Sequence, residues 1–328
     1  MAKGKGKHPR PSVLLLFLGG SVIDSRGRRG DLVRKPKDIE PWLAQMSEMD
    51  IIADTTGHFI GPGTGAIGLA EWAGVAKAIE AHYAGYDGFV VVHQLETIEA
   101  AAEALSLMLD GLEKPVVLVG SWLHTRQERS LGRTLVVPGA QEFGAKASFI
   151  NAVQVAVSDA AEVLVVFGST IFRGHGLHST ADPQPTLTGR VLGKIDFGIR
   201  LFGAQIKRAK RAFRIRAQYE TNVAMVEYVP GLTVEQVVGQ ATGRKGLFFS
   251  LAPALQGGAA MLPSLASSLR GLPIAVFGLT GRVGRLPSSL LVLADQTRTA
   301  ALIHFLWALG QAANQSALRK LLLAPTDR

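Results

Sequence analysis

The sequence contains no cysteine, which excludes disulfide scaffolds, thiolate metal sites and cysteine nucleophiles together. Aromatic residues are only 7% of the chain, and Phe202 and Phe213 alone fall in its most basic stretch, so base stacking there is not expected. The apolar run at 13–18 is six residues long, far from the ~18 that a membrane-spanning helix needs. Neither a G-x-x-x-x-G-K-[ST] loop nor an H-E-x-x-H helix occurs, which removes the sequence basis for P-loop and zincin chemistry. What is present is 47% hydrophobic and 19% charged residues over 328 positions. That is a globular composition, with length for about two domains of ~150 residues.

There are 35 basic and 26 acidic side chains, a net charge of +9. Much of the excess lies in two places. Lys3, Lys5, Lys7 and Arg10 form an N-terminal arm, and a stretch at 200–216 carries seven basic residues with no acid between Asp196 and Glu220. Either could touch nucleic acid or another anionic surface, although a solvated charge run is the plainer use. The arm and the apolar run after it imitate a signal peptide, but Ile23-Asp24-Ser25 leads into Arg26, Arg28 and Arg29 without a small-x-small cleavage site. The expectation is a cytoplasmic protein whose residues 13–18 form a buried first strand.

Near-continuous apolar runs at 13–18, 89–92, 116–119 and 163–167 suit parallel strands covered on both faces. Amphipathic stretches at 69–83 and 97–109 lie between them. This βαβα alternation predicts an α/β fold, a doubly wound, mostly parallel sheet. Further strands at 222–228, 247–251 and 274–278 with a helix at 297–309 predict a second, smaller α/β domain. The expected organisation is a flexible arm at 1–12, a first domain at 13–200, a basic linker at 201–220 and a second domain at 221–328.

Gly19-Gly20-Ser21 leaves the first strand at its carboxyl end, the edge where open α/β sheets bind ligands, and places a hydroxyl after two glycines. Gly63-Thr64-Gly65-Ala66-Ile67-Gly68 spells G-x-G-x-x-G, but the following strand begins at Asp87 and ends at His93, without the terminal acid a dinucleotide site needs. No cofactor is therefore expected. His175-x-x-His178 lacks a nearby carboxylate in sequence and reads as a polar loop without a metal; His93 reads as a hydrogen-bonded structural histidine.

Several segments together resemble the bacterial-type L-asparaginase family, which also includes the amidotransferase subunit acting on glutamyl-tRNA. Leu18-Gly19-Gly20-Ser21-Val22-Ile23 stands where the family has its strand and T-G-G-T-I. Tyr86-Asp87-Gly88-Phe89-Val90-Val91-Val92-His93-Gln94-Leu95-Glu96-Thr97-Ile98 follows its y-D-G-f-V-v-t-H-G-T-D-T-M, and Ala104-Leu105-Ser106-Leu107-Met108-Leu109 and Lys114-Pro115-Val116 continue in order. Asn151-Ala152-Val153, Arg173-Gly174 and Ala294-Asp295-Gln296-Thr297 also fit. The resemblance implies an asparaginase-like fold, a homodimer or homotetramer, and hydrolysis of a side-chain amide in a small amide or amino acid.

It also assigns roles. Ser21 takes the place of the attacking threonine and Thr64 that of the serine binding the substrate carboxylate. Leu95 and Glu96 replace the threonine and aspartate of the second pair. Glu96 is one methylene longer, moving its carboxylate by about 1.5 Å, where ~1 Å of misplacement can cost about 10²-fold. Ser179 stands at the family's lysine, with His178 before it as a substitute base. Two readings follow: an amidohydrolase of weak, altered or lost activity, or a non-catalytic protein that keeps the fold for binding or assembly.

Overall fold

A computed structural model describes residues 10–18, 33, 35–61, 67–121, 145–180, 186–196, 198–203, 206, 211–280, 286–294 and 296–323, without the side chains of residues 96, 121, 145 and 146. The chain divides into two units, Met1–Ile215 and Arg216–Arg328.

In the first unit the strands are β1 (Ser12–Leu18), β2 (Asp54–Ile60), β3 (Gly88–Gln94), β4 (Leu109–Asp110), β5 (Val116–Ser121) and β6 (Val163–Phe167). They continue as β7 (Thr170–Arg173), β8 (His178–Thr180), β9 (Thr186–Thr188), β10 (Val191–Ile195), β11 (Ile199–Leu201) and β12 (Arg214–Ile215). The helices are α1 (Ile39–Leu43), α2 (Leu69–His82), α3 (Ile98–Met108) and α4 (Ala145–Ala156). The main sheet runs β11-β10-β7-β6-β5-β3-β1-β2. From β2 to β6 it is parallel; β7, β10 and β11 add an antiparallel edge.

The runs 13–18, 89–92, 116–119 and 163–167 of β1, β3, β5 and β6 are apolar at every position because both sheet faces are covered there. Val13, Leu15 and Phe17 join Phe149, Ala152 and Val153 of α4 in one core. Trp42 of α1 stands edge-on between Phe17 and Phe149, with centroids 5.1 and 5.0 Å away. Leu14, Leu16 and Leu18 alternate with these residues along β1 and so face the other side, where α2 and α3 pack together. Trp72, Val75, Ala76 and Ile79 form the buried stripe of α2, and the Glu71 carboxylate accepts from the Gly68 N–H at 2.8 Å to close its first turn.

Close packing of α4 on β3 depends on Gly88. A β-carbon there would drive into the Ala156 carbonyl, which is backbone and cannot step aside. Gly88→Ala is expected to destabilise the first unit by about 1–3 kcal/mol, as overpacked sites do. Urea unfolding of the full chain checks this; wild-type stability in the variant would refute the close approach.

In the second unit β13 (Val223–Glu227), β14 (Gly246–Ser250), β15 (Ile274–Phe277) and β16 (Leu290–Leu293) pair in that order, all parallel. Its helices are α5 (Val234–Ala241), α6 (Leu262–Ser268), α7 (Arg298–Gln311) and α8 (Gln315–Leu323). Thr297 caps α7 by accepting from the Ala300 N–H at 3.1 Å, and the helix buries Phe305 and Trp307. The fold is thus a doubly wound α/β sheet followed by a smaller α/β unit, as the periodicity predicts.

Candidate active site

The parallel strands of the first unit lie in the order β2-β1-β3-β5-β6. The chain leaves β1 toward β2 on one side and returns to β3 on the other, so the connections part between β1 and β3. Ligands of such sheets bind outside the carboxyl ends at this point. Phe17 pairs with Val92, so β1 ends at Leu18 level with His93. Ser21 follows three residues later and Thr64 follows β2; both lie outside the described residues.

At the end of β3, His93 is buried. Trp72 Nε1–H donates to its Nε2 at 3.0 Å, and Nδ1–H donates to the Gln94 carbonyl at 2.8 Å. The two bonds define one neutral tautomer, and burial lowers the pKa from 6.5 to about 4. His93 is a structural histidine: its accepting nitrogen is already used.

Leu95 and Glu96 open the short 3₁₀ turn that leads into α3. Leu95 is 6% exposed, and it and Ile98 close over Gly120 of β5, where a β-carbon would stand 3.2 Å from either side chain. It is therefore part of the packing and offers no polar atom. The Glu96 side chain lies outside the described residues.

The sequence reading missed Glu99 and Glu103. They stand one turn apart on α3 and both are buried. Each accepts hydrogen bonds from the segment after β7. Glu103 accepts from the Gly176 N–H at 3.1 Å and faces His175 Nδ1 at 3.0 Å. Glu99 Oε2 accepts from the Ser179 N–H at 2.8 Å and the Ser179 hydroxyl at 3.0 Å. The same oxygen lies 3.6 Å from Nδ1 of His178, whose side chain is half exposed. Glu99 is also in the first turn of α3, where the helix dipole favours a negative charge. The two histidines of His175-x-x-His178 are thus separated, each beside its own carboxylate. Among the described residues no group of three or more His, Cys, Asp or Glu is placed to hold a metal ion.

The segment 175–180 is fixed from its other end as well. Gly174 follows β7 so closely that a β-carbon would stand 2.8 Å from Val163 Cγ1 and 3.1 Å from Ser106 Oγ. Just before it, the buried Arg173 guanidinium grips Glu162 at 2.6 and 2.8 Å. Leu177 is buried, and β8 pairs antiparallel with β9, His178 opposite Thr188.

Residues 12–183 match the N-terminal domain of asparaginase. The chain is 31% identical over 237 residues to a glutamyl-tRNA(Gln) amidotransferase subunit from Methanosarcina barkeri, covering 67% of this chain and 53% of that protein. It is 29% identical over 171 residues to L-asparaginase 1 of Escherichia coli, covering 51% of this chain and 46% of that one. The chain therefore spans about half the length of these curated relatives. The crystal structure of L-asparaginase I from Vibrio cholerae superimposes with a TM-score of 0.72 at 20% identity, covering 96% of this chain and 97% of that chain, which establishes the shared fold. The N-terminal match takes in the parallel part of the doubly wound sheet and the turn that carries Leu95 and Glu96, and on that evidence the chain belongs to the asparaginase family.

Proposed function

We propose that this asparaginase-family chain acts on a side-chain amide of the asparagine or glutamine type, with an activity that is weak or altered because its proton-handling groups have been replaced. Two observations carry this reading. Ser179, at the position the resemblance gives to a lysine, turns its hydroxyl into Glu99 at 3.0 Å. Leu95, at the position of a proton-handling threonine, is buried packing. The names of the relatives, an L-asparaginase and an amidotransferase subunit, support amide chemistry as its class.

In this reading Ser21 is the nucleophile and His178 the base. The Ser21 hydroxyl gives its proton to His178 as its oxygen bonds to the amide carbon. The C–N bond then breaks and ammonia leaves with that proton. Water attacks the resulting ester, gives a proton to His178, and releases the acid while Ser21 recovers its proton. Thr64 receives the substrate carboxylate and Glu96 its ammonium, beside the apolar Leu95. The protein acts as a cytoplasmic homodimer or homotetramer, with the boundary between its two domains inside the basic stretch at 201–220, and without a cofactor.

Ammonia release from asparagine, glutamine and small amides tests this. Wild type is expected to turn over at least one amide slowly, Ser21→Ala to abolish that turnover and His178→Ala to lower it. Leu95→Thr with Glu96→Asp and Ser179→Lys is expected to raise asparagine hydrolysis. Turnover unchanged by Ser21→Ala would refute the mechanism. The buried Leu95 also fits a second reading, a binding or assembly protein. No ammonia from either wild type or the triple variant, with a melting temperature raised by asparagine or glutamine, would favour it.

A further inference from the structure

We infer that Glu99 is a positioning residue for His178: it holds the imidazole proton on Nδ1 and so leaves the lone pair on Nε2. Using that lone pair on Ser21 rests on the functional reading above; the pairing of Glu99 with His178 does not.

The inference begins with the carboxylate. Its Oε2 accepts from both the N–H and the hydroxyl of Ser179, at 2.8 and 3.0 Å. Two donors from one residue fix that oxygen in place, and it is the oxygen 3.6 Å from His178 Nδ1. The separation is slightly beyond hydrogen-bond length, as unliganded acid–base pairs often are, and a small ring movement closes it. A carboxylate that accepts from Nδ1–H selects the tautomer whose Nε2 can take a proton, and then stabilises the imidazolium that results. Ser179, at the lysine's position, is thus the clamp that holds Glu99.

The backbone under His178 is held as firmly. Glu103, one turn further along α3, binds Gly176 N–H and faces His175. Segment 175–179 therefore docks on one helix face at two carboxylates, and β9 pairs with His178 from the other side. A solvated loop histidine would have neither restraint. The same geometry explains why two carboxylates stand buried one turn apart: each is matched by donors from a segment about 75 residues away in sequence, for instance Gly176 for Glu103.

The experiment is ¹⁵N NMR of the His178 ring in the full chain, wild type against Glu99→Gln. The variant amide oxygen, still held by Ser179, can accept from Nδ1–H but carries no charge, so its preference for a proton on Nδ1 is weaker. Wild type is expected to hold the neutral ring as Nδ1–H, and the variant to shift it measurably toward Nε2–H. A merely structural glutamate would lower the melting temperature and leave that ratio unmoved. Glu99→Asp, which keeps the charge, is expected to restore part of the Nδ1–H population. A wild-type ring that carries its proton on Nε2 overturns the inference without any variant, and so does an unchanged ratio in Glu99→Gln. Where an amide is turned over, Glu99→Gln is expected to lower kcat by about 10²-fold or more at similar KM. A tautomer shift in a protein that hydrolyses no amide would refute the functional reading and leave the positioning role standing.

Discussion

Replacing Glu162 with alanine is expected to destabilise the first unit by about 3–5 kcal/mol, the usual cost of removing one partner from a buried ion pair. Arg173 and Glu162 are 6% and 11% exposed at their side chains, and the guanidinium bonds both carboxylate oxygens. Alanine leaves the cation among β6 and β7 without this carboxylate. The cost arises from the desolvated charge left behind, so Glu162→Leu combined with Arg173→Met is expected to recover much of it. Urea unfolding of the full chain measures both variants. A loss below ~1 kcal/mol in Glu162→Ala would place the pair with ordinary surface ion pairs and refute its anchoring role.

Acid is expected to cost the native state about 3 kcal/mol through His93 alone, from its pKa shift at ~1.4 kcal/mol per unit. In the unfolded chain the ring takes a proton near its ordinary value of 6.5, whereas burial lowers the folded value to about 4. Between those values the unfolded state binds more protons. The stabilisation is therefore complete above about pH 6.5 and is lost as pH falls toward 4. His93→Gln keeps an acceptor for Trp72 but does not titrate. Its stability is expected to be lower than wild type at pH 7.5 and to fall less between pH 7.5 and pH 4. Equal pH slopes in the two proteins would show that His93 does not carry this dependence.

The buried strands were legible because a parallel strand covered on both faces is apolar at each position. β1, β3, β5 and β6 lie where the runs at 13–18, 89–92, 116–119 and 163–167 place them. β2 was not legible: it is the sheet edge, half open to water, and its D-T-T-G-H-F-I offers no such run. The strands from β7 to β11 escaped because runs of three to five residues are too short to show a period. Within the site, His93 could be read from its place at the end of an apolar strand. Glu99 and Glu103 could not, because Glu99-x-x-x-Glu103 on an alanine-rich helix reads as a solvated face. Their donors, Gly176 and Ser179, come from beyond β4, β5, β6 and β7, and no local pattern announces that pairing.

The place of β1 has a consequence for how the protein is made. Its seven residues pair with β2 on one side, and five of them with β3 on the other, Val13 opposite Gly88. The second partner is therefore 88 − 13 = 75 residues downstream. At ~5–20 residues per second, a ribosome takes about 4–15 s to add them. Throughout that interval the most apolar strand of the sheet has one edge and part of both faces uncovered. The nascent chain thus presents V-L-L-L-F-L as a sticky segment before its neighbour exists, a natural target for a holding chaperone.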